Sequence, residues 1–183
     1  MVWIGNWGDG ERTAELEQFL IAPAHAAGLP LDVYGVRYPD SALAMLGRFG
    51  ARYRGWLANV RAPEIFARHL ATVHVPRRYY AAQLPGIPTI RVFEALACGI
   101  PLVSAPWDDA EQLFHPGEDY LVARDAADMA RHLFDLRDDP DLRDALTASG
   151  LARIRARHTC AHRVDELLAI TRDLGAPAME AAS

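Results

Sequence analysis

Short apolar runs alternate with longer amphipathic stretches along most of this chain. The runs at residues 2–5, 31–35, 53–57, 72–75, 102–104 and 120–123 are three to five residues long and rich in Val, Ile, Leu and aromatics, so each reads as a strand. Between them the spacing predicts helices over about 11–27, 41–49 and 62–69, the last with Pro63 in its first turn. Tight turn pairs that would join hairpins are missing. Strands this short and this apolar need cover on both faces, which helices supply in a parallel sheet. The expected fold is therefore α/β, a doubly wound parallel sheet of Rossmann-like type.

The last third reads as helical, over about 126–136, 140–157 and 161–174. Asp125 is placed to cap the first of these, with Asp128 three residues on, and Asp139 to cap the second, with Pro140 at its first position. The expectation is one domain over residues 1–174 with extra C-terminal helices, followed by a small, polar, disordered tail over 175–183. In doubly wound sheets ligands sit beyond the carboxyl ends of the strands. That places the loops after Gly5, Gly35, Val75 and Ser104 in view.

The best-marked element lies between Thr89 and Ser104. Thr89 is expected to cap a helix with its hydroxyl, Gly99 to end it in the left-handed conformation, and Pro101 to forbid its continuation. Three- and four-residue spacing assigns Phe93, Leu96, Ala97 and Ile100 to the buried stripe and Arg91, Glu94, Ala95 and Cys98 to a stripe beside it. A cation in the first turn, here Arg91, opposes the helix dipole by up to about 1 kcal/mol. Two readings fit: an ordinary surface pair of Arg91 with Glu94, or a phosphate held by Arg91 and the free first-turn amides, with Glu94 accepting from sugar hydroxyls.

Length and composition narrow the classes. With 183 residues, 51% of them hydrophobic, the chain suffices for one full core. No apolar run reaches the length of a membrane span, and no basic leader with an apolar stretch opens the chain, so it reads as soluble and unexported. Cys98 and Cys160 stand in no metal-type spacing and suit a reducing cytoplasm, as small buried filler. A net charge of -5 argues against a nucleic-acid partner. The charge is uneven: nine arginines lie between Arg37 and Arg91 against only Asp40 and Glu64, and lysine is missing altogether. A local positive field of that kind suits a small anionic ligand, and an arginine-rich solvated surface explains it as well.

Other candidates carry less. The turn Gly5-Asn6-Trp7-Gly8-Asp9-Gly10 lacks the dinucleotide fingerprint and there is no lysine-bearing P-loop, although its glycines permit a turn that exposes amides. Asp139-Pro140-Asp141 has an Asp-x-Asp form, yet its place at a helix start fits capping better than a divalent cation. His158 and His162 lie one turn apart with no further ligands in reach. Asp108, Asp109 and Glu111 read as a possible acid or base, or as an acidic first helical turn; His74 and His115 read as possible proton carriers or as hydrogen-bonded structural residues.

The run Phe93-Glu94-Ala95-Leu96-Ala97-Cys98-Gly99-Ile100-Pro101-Leu102-Val103 resembles the donor-site helix of GT-B-type glycosyltransferases. Glu111 through His115-Pro116-Gly117-Glu118-Asp119-Tyr120-Leu121-Val122 resembles the stretch that follows it there. The start, Ile4-Gly5-Asn6-Trp7-Gly8-Asp9 with Asp32-Val33-Tyr34-Gly35-Val36-Arg37-Tyr38-Pro39, is similar to spore-maturation (CgeB-type) glycosyltransferase-like proteins, over about residues 2–171. The resemblance implies the carboxyl-side, donor-binding half of such an enzyme, with a nucleotide-sugar donor as substrate, no metal and no other cofactor. Its acceptor-binding half would come from elsewhere. By the same resemblance Glu94 takes the ribose hydroxyls, Thr89 and Arg91 the diphosphate, Gly5, Asn6 and Gly8 border it, and Arg12 is a second cation. Two positions depart from the pattern: Gly86 stands where many retaining members carry glutamate, and Asn6 where the family has a basic residue. The alternative is a non-catalytic nucleotide-sugar-binding or assembly module lacking its acceptor domain.

Overall fold

A computed structural model describes residues 1–8, 10–84 and 86–175. The tail expected to be disordered lies, beyond Gly175, outside the described residues. Six strands, β1 (Val2–Ile4), β2 (Asp32–Tyr34), β3 (Arg52–Gly55), β4 (Thr72–His74), β5 (Leu102–Ser104) and β6 (Leu121–Val122), form one sheet in the order β3-β2-β1-β4-β5-β6. Every pairing is parallel. The doubly wound expectation holds, and the strand order reverses between β1 and β4.

Alternation along the strands splits the core in two. Trp3, Val33, Val73 and Val103 face one side, against Leu16, Leu20, Leu46, Met129 and Leu133; Val2, Ile4 and Leu102 face the other, against Phe66, Val92, Leu96 and Ile154. The helices supplying the first layer include α1 (Thr13–Leu16), α2 (Ala22–Ala26), α3 (Asp40–Arg48) and α7 (Ala126–Asp138). The second layer draws on α4 (Ala62–Phe66), α6 (Ile90–Ala97) and α8 (Pro140–Arg157). A last helix, α9 (Cys160–Asp173), buries none of its residues. Among the described residues no helix is long and apolar enough to cross a membrane.

Several local expectations need correction. The helix expected over 11–27 starts at Thr13 and is interrupted by a π-helical turn, Glu17–Ile21. Pro23 lacks an amide hydrogen and its ring crowds the carbonyl four residues back, and the wider turn accommodates both. One short helix, α5 (Arg78–Ala82), was not expected, because it has no buried residue and hence no apolar period. Asp108, Asp109 and Glu111 open no helix; Asp109 Oδ2 instead accepts from the Phe114 amide at 2.9 Å within a loop. Asp125 and Asp139 cap α7 and α8 as expected, accepting from the Asp128 and Leu142 amides at 2.8 and 2.9 Å. Neither cysteine is buried filler: Cys98 is half-buried and Cys160 exposed.

Candidate functional site

The helix α6 explains how the site is built. Gly99 takes the expected left-handed conformation at φ 68°, and the buried side chains are Val92, Ala95, Leu96 and Ile100; Ala97, assigned to the buried stripe, is exposed. That rotation turns Arg91 toward the strand ends. Thr89 occupies the N-cap position, but its hydroxyl makes no cap hydrogen bond. It lies instead 2.8 Å from Nε2 of His74 at the end of β4. The Val92 amide bonds back to the Thr89 carbonyl at 3.3 Å, while the amides of Ile90 and Arg91 have no partner among the described residues.

These groups open onto a cleft of about 240 Å³ lined by Gly5, Asn6, Arg12, Thr89 and Arg91, together with His74, Val75, Arg77 and Tyr80. Its floor is the point between β1 and β4 where the strand order reverses. Five of the seven sequence-expected site residues therefore meet there. Glu94 and Gly8 line neither this cleft nor the adjoining hollow. Glu94 stands one turn along α6, its Oε2 2.7 Å from Arg91 Nη1, and Gly8 borders the Arg77 guanidinium.

The cleft is cationic. Arg12 is buried, donates to the carbonyls of Val75 and Asn6 at 2.7 and 2.8 Å, and sits over the Trp3 ring at 5.4 Å. Burial lowers its pKa, and the nearby Arg77 lowers it further. Burial likewise lowers that of Arg91, with Glu94 opposing. Both guanidiniums remain charged at neutral pH, since the ordinary value lies so far above it. Most other arginines of the expected positive stretch are engaged by carboxylates: Arg52 and Arg54 by Asp32, Arg61 and Arg68 by Glu64, Arg78 by Glu15. At the cleft Arg91 is likewise paired, with Glu94, whereas Arg12 donates, among the described residues, only to the two carbonyls and keeps its full charge there.

The first loop behaves differently from expectation. The Gly5 and Trp7 amides are consumed by the Tyr34 and Val36 carbonyls at 2.8 and 3.3 Å, and Asn6 Oδ1 accepts from the Val36 amide at 3.0 Å. Gly5 contributes room, because a Cβ there would fall 2.7 Å from the Trp3 ring. Sequence reasoning missed Arg77, Tyr80 and Trp56. Trp56, 73% exposed, lines a second hollow of about 270 Å³ that shares Ile4, Gly5, Asn6 and Arg91 with the cleft. The sequence reading placed Trp56 inside the strand expected over 53–57, whereas β3 ends at Gly55 and leaves the indole in the loop beyond it.

Of the remaining candidates, His115 is exposed beside Glu118 and Arg153. His158 Nε2 meets the Leu113 carbonyl and His162 Nδ1 the Thr159 hydroxyl. Among the described residues no group of three His, Cys, Asp or Glu is placed to hold a metal ion.

The family described as glycosyl transferase-like matches residues 12–169. The chain belongs to that family. Solved structures share the fold, these three among them. T4 phage β-glucosyltransferase in complex with UDP-glucose is 14% identical with a TM-score of 0.74, over 93% of this chain and 47% of that one. HepE of Anabaena in complex with UDP and glucose is 16% identical with a TM-score of 0.70, over 92% and 47%. Sucrose-phosphate synthase of Thermosynechococcus elongatus is 17% identical with a TM-score of 0.72, over 97% and 45%. The chain thus spans less than half the length of each. No curated protein sequence matches it.

Proposed function

We propose that this glycosyl transferase-like chain is the donor-binding half of a GT-B-type enzyme, close to the CgeB-type proteins, and takes a nucleoside diphosphate sugar in the cleft. The observation that carries this reading is the meeting of two desolvated guanidiniums, Arg12 and Arg91, with the amides of Ile90 and Arg91, which have no partner among the described residues, where the strand order reverses. Amides at a helix start and planar cations both favour phosphate oxygens. The UDP-glucose and the UDP bound in two solved structures of similar fold support the same assignment.

In this reading the diphosphate rests against the first turn of α6 and Arg91, with Arg12 fixing the cleft wall from behind. Arg12 already serves two carbonyls, so it acts on the ligand chiefly through its charge. The nucleoside lies toward the hollow at Trp56, whose indole offers a base a stacking face, and Glu94 reaches the ribose once Arg91 turns to the phosphates. As the sugar departs, negative charge grows on the diphosphate, and the fixed amides and cations stabilise it with little reorganisation. Transfer to the acceptor requires a partner domain or a second chain, and a cytoplasmic setting agrees with the free thiols.

A second reading, a module that binds the donor without transferring sugar, is favoured by Gly86. It has φ 86°, and a Cβ there would lie 2.6 Å from Ala110 Cβ, so the glutamate that many retaining relatives carry has no place in this turn. Calorimetric titration with ADP-glucose, GDP-mannose and UDP-glucose tests the shared premise. One of them is expected to bind, and Arg91→Gln to weaken it by about 1.5–3 kcal/mol, roughly 10- to 150-fold. No binding at millimolar ligand contradicts both readings. Turnover with a partner domain separates them, since binding without transfer supports the second.

A further inference from the structure

His74 and Ser104 are partners in register on β4 and β5, both buried, and they join Thr89 in a line of hydrogen bonds that ends at the cleft. Ser104 Oγ lies 2.6 Å from the carbonyl oxygen of Ala105 and 2.8 Å from His74 Nδ1. His74 Nε2 lies 2.8 Å from Thr89 Oγ1.

The direction of these bonds follows from the carbonyl. A carbonyl oxygen only accepts, so the Ser104 proton must lie between the two oxygens; without it two sets of lone pairs would face each other at that distance. Ser104 then accepts from His74, so Nδ1 carries the ring hydrogen. Burial, with the charges of Arg91 and Arg12, pushes the His74 pKa down to about 3, so the ring holds a single hydrogen at neutral pH. Nε2 is therefore an acceptor, and the Thr89 hydroxyl must donate to it. Thr89 has spent its only proton inward and shows the cleft lone pairs alone.

An oxygen with only lone pairs repels a phosphate and welcomes a hydroxyl. Thr89 also stands where the cleft continues into a crevice lined by Gly86, Ile87, Trp107 and Asp108, with Arg91 between it and the Trp56 hollow. That order along the surface puts Thr89 on the side of the phosphates away from the nucleoside. We infer that Thr89 is a specificity-determining residue that accepts a hydrogen bond from a hydroxyl of the transferred sugar, held in that role by His74 and Ser104. The inference rests on the donor-site reading and departs from what the resemblance implies for Thr89: Arg91 and the α6 amides hold the diphosphate without it.

Two measurements test it. Calorimetry compares ADP, GDP and UDP with ADP-glucose, GDP-mannose and UDP-glucose. Thr89→Val is expected to weaken the sugar conjugate about tenfold while leaving the matching diphosphate within about twofold, and Thr89→Ser to restore the wild-type pattern. Equal weakening of both ligands, or of neither, overturns the assignment while leaving the donor site standing. A wild-type chain that binds none of the six overturns the donor-site reading and this one together. Nitrogen-15 NMR of histidine-labelled wild-type protein reads the ring directly and needs no variant to fold: hydrogen on Nδ1 is expected, and hydrogen on Nε2 refutes the inference.

Discussion

Arg91 and His74 show what a single residue reveals before and after folding. Arg91 could be read from sequence as a misplaced cation at a helix start, and the structure places it at the cleft with Glu94 as counter-ion. The Thr89 hydroxyl could not be read. Its capping role is a local rule, whereas its partner His74 lies 15 residues earlier and takes its own orientation from Ser104, 30 residues further on. A buried polar residue in an apolar strand was the available signal. His74 also carries a stability prediction. Its pKa, ordinarily near 6.5, is about 3 in the fold, so between those values the unfolded chain binds the extra proton. This stabilisation is complete above pH 6.5 and is lost as pH falls toward 3. By pH 5 the loss from this residue is about 2 kcal/mol. Urea unfolding at pH 7 and pH 5 is expected to show a smaller difference for His74→Asn than for wild type.

At the scale of elements, strands and capped helices were legible because their signals are local and periodic. Asp125 and Asp139 cap where expected, and Gly99 ends α6. The π-helical turn and α5 were not, since one arises from a clash at Pro23 and the other presents no apolar face. The turn before α6 is set by packing as well. Gly86 combines a left-handed backbone with contact to Ala110, so Gly86→Glu strains the turn and pushes on its neighbour. The expected result is a loss of about 1–3 kcal/mol in urea unfolding and no gain in affinity for a nucleotide sugar. Wild-type stability together with tighter binding would show that the family's glutamate can be restored here.

At the scale of the whole molecule, alternation of apolar runs was enough for the doubly wound sheet, and the sheet alone determines where its strand order reverses. The distribution of charge was legible only as a run of arginines along the sequence, without the partners that folding gives them. Folding pairs Asp32 with Arg52 and Arg54 near the amino ends of the strands and brings Arg12, and Arg91 with its partner Glu94, to the carboxyl ends, so the two rims differ in what they attract. The proposed donor site puts a nucleoside diphosphate at the carboxyl rim. Titrating the nitrogen-15-labelled chain with UDP, or with whichever diphosphate binds best, while following backbone amide shifts tests it most directly. The largest, saturable shifts are expected at Asn6, Thr89, Ile90 and Arg91, with smaller ones at Trp56. Shifts concentrated instead at Asp32, Arg52 and His69 on the opposite rim would contradict the proposed site.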